Sequence, residues 1–172
     1  MPSPEAIKTA HERLIRTYEK RPGAAASTGS TQVNLSSGMR CEITQSPWSA
    51  VSDQPVNMGG ENLGPDPGFY GRAALGACLA QGYAGWFARR GLSFKSMSVE
   101  VEADSDGRGF LAMAPDVPPG YGGVRVRVRV ESEESEADLR EAMDQADRHS
   151  PWLYDFTTAL EVQREAQIKT PD

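Results

Sequence analysis

The stretch that most constrains the fold runs over positions 68–90, "GFYGRAALGACLAQGYAGWFARR", where charge enters only at Arg72, Arg89 and Arg90. A helix that is apolar on all sides has no face to turn to water, so this one is predicted to be a buried central helix. Gly71, Gly76, Gly82 and Gly85 within it each cost about 1 kcal/mol relative to alanine. Close approach offsets that cost, because without a Cβ another helix, a sheet or a second subunit can pack directly on the backbone. Cys78 stands mid-helix on a face shared with Gly71, Ala74, Leu75 and Gly82. Taken alone it reads as a small core residue, since apolar burial disfavours the reactive thiolate.

The flanking segments supply other elements. Ser3 and Pro4 form an N-cap and first helical residue, and Ile7, Ala10, Leu14 and Tyr18 follow at helical spacing up to the stop at Arg21-Pro22-Gly23. "TQVNLSS" and "MRCEITQ" are strands joined at Ser37-Gly38, and "WSAVSD" adds a third. Alternation puts Met39, Cys41 and Ile43 on one face, so Cys41 is expected to point into the core. "KSMSVEVEAD" and "GGVRVRVRVES" alternate with period two. Ser135 to Asp138 is a capping-box pattern that opens a helix with the apolar stripe Leu139, Ala142, Met143 and Ala146. A short helix and a final strand over "ALEVQREA" complete the order. This mixture predicts an α+β domain, preceded by an amphipathic helix and linker over 1–29 and followed by a tail over 167–172.

At 172 residues the chain suits one domain. Its formal charge of -6 argues against general nucleic-acid binding and against an anionic membrane surface. With no apolar run near the roughly 18 residues that span a bilayer and no signal-peptide core, the expected location is cytoplasmic. Cys41 and Cys78 are too few for a disulfide framework, and with His11 and His149 isolated there is no metal-ligand cluster. Neither a metal nor another cofactor is expected. The stripe Arg125, Arg127 and Arg129 could bind anions, but Glu100 and Glu102 on the adjoining strand make cross-strand ion pairs the better reading. Phe69, Tyr70, Tyr83, Trp86 and Phe87 offer core packing or an apolar lining.

Four segments taken together say more. "DQPVNMGGENLGPDPGFYGRAALGAC", "ARRGLSFKSMSVEVEADSDGRG", "PPGYGGVRVRVRVES" and "ADRHSPWL" resemble, in order, the OsmC/Ohr family of osmotically inducible and organic hydroperoxide resistance proteins, and the resemblance implies a domain over residues 30–166. The resemblance implies an intertwined α+β homodimer whose central helix carries a peroxidatic cysteine, matched here by Cys78. It also implies a glutamate ten residues earlier, a resolving cysteine before a proline, and an arginine from the N-terminal region. At the first of these positions stands Gly68, and at the second stands Ser150. Arg40 is the nearby arginine, but strand alternation points it away from the face of Cys41, so no arginine is assigned. Glu61, Asp66 and His149 are polar groups that could serve the site, although loop capping and a helix C-terminal charge explain them as well.

Two functions follow from the resemblance. One is reduction of organic hydroperoxides at Cys78 with an external thiol as reductant. The other is a non-catalytic homodimer that binds an apolar small molecule, with Cys78 as core.

Overall fold

The computed structural model describes residues 3–170. Helix α1 (Pro4–Lys20) opens as its sequence dictates: the Ser3 hydroxyl accepts from Ala6 N at 3.2 Å and Pro4 occupies the first turn. A short 3-10 turn (Pro22–Ala25) leads to β1 (Gln32–Ser37), β2 (Arg40–Gln45) and β3 (Trp48–Ser52), an antiparallel sheet in the order β1-β2-β3. Gly38, with φ +57, supplies the left-handed residue that the β1-β2 turn needs. Register sets Val33 opposite Ile43 and Leu35 opposite Cys41, with Ala50 and Ser52 completing that face on β3.

The loop from β3 to the central helix is organised by Asp53, which is only 2 % exposed. Its carboxylate accepts the backbone N–H groups of Gln54 (2.8 Å), Glu61 (3.0 Å) and Leu63 (3.0 Å). Those bonds, that from Leu63 first, hold the carboxyl below its ordinary range despite burial. Helix α2 (Pro67–Arg90) then starts on Asp66, whose carboxylate accepts Phe69 N at 2.7 Å, and ends on Gly91 in the left-handed region. Tyr70 donates its hydroxyl to the Val51 carbonyl at 2.5 Å and ties the helix start back to β3.

Strands β4 (Ser96–Ser105) and β5 (Tyr121–Glu131) form a separate antiparallel hairpin, with one helical turn, α3 (Gly107–Phe110), in their connection. Helices α4 (Glu136–Arg148) and α5 (Pro151–Thr157) follow. The core is Leu75, Leu79, Tyr83 and Phe87 of α2 against Ala142 and Ala146 of α4, with the valines of β4 and β5 packed around them. Full burial of each large side chain there is worth about 1.5 to 3 kcal/mol. The opposite polar face of the hairpin carries the expected ladder: Arg125 pairs Glu102 and Asp104, Arg127 pairs Glu102 and Glu100, and Arg129 pairs Glu100.

The glycines of α2 mark contacts. A Cβ on Gly76 would lie 3.3 Å from a Val101 methyl, and one on Gly85 would lie 2.7 Å from the His11 ring of α1. Strand β4 and helix α1 therefore cross α2 where side chains are missing.

Three expectations need correction. Residues 159–166 form no strand; they run as irregular chain after α5, with Leu160 and Val162 exposed and no sheet partner. Helix α2 is not covered on every side, since Phe69, Ala73, Ala77 and Gln81 are exposed within the single chain. Cys41 does not reach the core either. It is half-buried on a sheet face whose neighbours Val33 and Leu35 are 57 % and 60 % exposed, because no layer of the same chain is laid over them.

Candidate functional site

Cys78 lies half-buried on α2, seven residues after Gly71 and four before Gly82. Directly across from it is Ser150, whose hydroxyl oxygen is 3.5 Å from the Cys78 sulfur. The segment between α4 and α5 makes this meeting: His149 ends α4, and Ser150 is the N-cap of α5, accepting Leu153 N at 3.3 Å with Pro151 at the first helical position. The packing of α4 on α2 holds the segment in place. A Cβ on Gly82 would sit 3.8 Å from that of Ala146, and Tyr83 donates its hydroxyl to Asp147 at 2.8 Å. Burial first, and then that bond to Asp147, push the Tyr83 phenol up, so it stays protonated and keeps donating.

The other residues singled out in the sequence are more dispersed. Gly68 is not an open space awaiting an acid. A Cβ there would lie 3.0 Å from Nη1 of Arg72, 3.2 Å from Oδ1 of Asp66 and 3.3 Å from the Tyr121 hydroxyl oxygen, and that hydroxyl donates to the Gly68 carbonyl at 3.2 Å. A guanidinium thus stands beside the position where a carboxylate is expected. Arg40 pairs Glu42 at 3.5 Å. Glu61 contributes its backbone N–H to Asp53, and Asp66 caps α2. The His149 ring nitrogen Nδ1 is 2.7 Å from the Gln145 carbonyl, and the ring packs 5.5 Å from that of Trp86, which has Arg89 over it at 4.3 Å. Asp66 is the cap that the plainer reading expected, whereas Glu61 enters through its backbone alone and His149 packs on Trp86 at the end of α4. Tyr121, Arg72 and Asp53 were not anticipated at all. The tyrosine meets Gly68 across 53 residues of sequence, which no local pattern announces.

A shallow groove of about 270 Å³ runs along the exposed side of α2, lined by Phe69, Arg72, Ala73, Ala77 and, from β4, Val99 and Val101. Among the described residues no three His, Cys, Asp or Glu side chains gather as metal ligands, and no helix is long and apolar enough to cross a membrane.

The sequence around this arrangement fits a known family. The profile of the OsmC-like protein family fits residues 59–165, which include both Cys78 and Ser150. The chain belongs to the OsmC-like family. Its fold is found in an OsmC-like protein from Mycoplasma pneumoniae with a TM-score of 0.65 at 13% identity, covering 76% of this chain and 88% of that one. An OsmC-like protein of unknown function from Vibrio cholerae gives 0.62 at 11% identity, covering 74% and 92%. An organic hydroperoxide resistance protein, OsmC, from Legionella pneumophila gives 0.55 at 16% identity, covering 74% and 89%. No curated protein gives a significant match. At these identities the likeness concerns the α+β OsmC/Ohr fold.

Proposed function

We propose that this OsmC-like chain is a cytoplasmic homodimer that reduces organic hydroperoxides at Cys78 with an external thiol. The Cys78 thiolate attacks one peroxide oxygen and the O–O bond breaks. The departing alkoxide takes a proton and leaves as the alcohol, while the sulfur is oxidised to a sulfenic acid. One molecule of external thiol displaces water from that sulfur to give a mixed disulfide. A second releases Cys78 and carries away the oxidised thiol as its disulfide. No metal or other cofactor enters this balance. The observation that carries the reading is the Cys78 to Ser150 contact: the segment where the family resemblance implies a resolving cysteine lies against Cys78, and here it bears a hydroxyl.

Two observations support the homodimer. The chain has an accessible surface of 13188 Å², whereas a compact monomer of its mass exposes about 8,200 Å². The surplus includes the apolar face of β1 and β2 and the exposed side of α2, which a second copy can cover.

The test is mass spectrometry of Cys78 after cumene hydroperoxide, with a sulfenic-acid trap, together with consumption of hydroperoxide by dithiothreitol. A trapped adduct and thiol-dependent turnover, both lost in Cys78→Ser, are expected. An unmodified Cys78 would instead favour a non-catalytic binder of apolar molecules. That second reading draws on the lack of an acid at Gly68 and on the groove along α2.

A further inference from the structure

Ser150 is 6 % exposed, and a hydroxyl on so enclosed a residue has one proton to give and two lone pairs to offer. One lone pair is taken by Leu153 N at 3.3 Å as the cap of α5. The Tyr154 N–H does not compete for the hydroxyl, since it goes to the Ser150 carbonyl at 3.0 Å. What remains within reach is the Cys78 sulfur at 3.5 Å. While that sulfur carries a proton, either atom can donate. Once it is a thiolate it has none, so the bond must run from the Ser150 hydroxyl to sulfur, a charge-assisted bond of the stronger kind. The helix cap fixes the oxygen, and the fixed oxygen aims its proton at the reacting atom.

We infer that Ser150 is a catalytic residue of this chain, donating its hydroxyl proton in a hydrogen bond to the Cys78 thiolate. It does so at the place where a sulfur would otherwise resolve the oxidised state. The role rests on the hydroperoxide reading above only for its purpose, since the hydrogen bond favours the thiolate form whatever that form then reacts with. It also separates two duties that a resolving thiol would join: Ser150 assists the attack and then, having no sulfur, leaves the sulfenic acid to an outside thiol.

Alkylation of Cys78 by iodoacetamide at pH 7, followed by peptide mass spectrometry in the intact protein, reads the thiolate without any peroxide. Ser150→Ala should slow it by about fivefold or more. Ser150→Thr, which keeps the hydroxyl and the cap, should return it to within about twofold of wild type. Ser150→Gly removes the hydroxyl at little cost to helix capping, and should be as slow as the alanine variant even if that variant folds poorly. Alkylation of folded Ser150→Gly at the wild-type rate would overturn the inference, because a purely structural serine leaves this rate alone. The two readings fail separately. Slowed alkylation in a protein whose Cys78 never reacts with hydroperoxide keeps the role of Ser150 and removes the peroxidase. Hydroperoxide turnover at Cys78, with alkylation equal in wild type, Ser150→Ala and Ser150→Gly, does the reverse.

Discussion

Cys78 and Ser150 are 72 residues apart in sequence and in contact in space. Because the two side chains already meet, Ser150→Cys should place two sulfurs where a bond near 2.05 Å needs only a small shift. Hydroperoxide treatment of that variant should give an intramolecular Cys78 disulfide, seen as a two-proton mass loss, and wild type should not show it. Cys41 should behave differently. On its half-covered strand face, Cys41→Ala should cost about 1 kcal/mol or less in denaturant unfolding and leave hydroperoxide turnover unchanged. At this scale the sequence disclosed the pair only through its resemblance to a family. The local part was readable: Ser150-Pro151 is the same cap-and-proline start that announces α1 at Ser3-Pro4. The rest was not, because the partners of Gly68 and Tyr83 lie in other segments, and hydrogen bonds across a fold leave no periodicity.

Among the elements, α2 was legible in outline because its apolar run has no polar side, and its glycines were legible as contact points. Which contacts they serve was not. Gly85 receives a histidine from the first helix, a pairing that depends on where α1 docks. Gly85→Ala should gain about 1 kcal/mol in helix propensity and lose about 1 to 3 kcal/mol to the crowded His11 ring. In wild type the net effect should therefore be destabilising or close to zero, whereas in a His11→Ala background the same change should stabilise, a sign reversal that urea unfolding of the four proteins would reveal. The β4-β5 ladder was readable because period-two charge on both strands admits few registers. Hydrogen bonds from Arg127 and Arg125 hold Glu102 below its usual range, and Arg125 does the same for Asp104. Depressed carboxylates stabilise the fold above their unfolded values near pH 4, and that contribution is lost as pH falls through the folded ones. The melting temperature of wild type should exceed that of the Glu102→Gln, Asp104→Asn double variant at pH 6. The gap should close toward pH 2 and narrow in 1 M salt. The strand expected over 159–166 failed for the converse reason: alternation qualifies a segment to pair, but an open edge must also be within reach.

The molecule as a whole has two parts of unequal completeness. Helix α2, the hairpin, α4 and α5 share a core, while the β1-β2-β3 sheet joins them through the Asp53-ordered loop with its apolar face bare. Sedimentation at micromolar concentration should give a dimer, and a stable monomer would refute the proposed assembly. The bare face also has a consequence in time. If its cover is a second copy, the last stage of refolding is an encounter between two chains, so its half-time should halve when protein concentration doubles, while the formation of the α2 core should not respond. Until the encounter, each chain carries an apolar sheet with unpaired strand edges, the combination most prone to pair with the wrong neighbour. Recovery from denaturant should then depend on how quickly partners meet: refolding yield should fall on extreme dilution, where they meet too late, and again in concentrated solution, where sideways association outruns correct pairing.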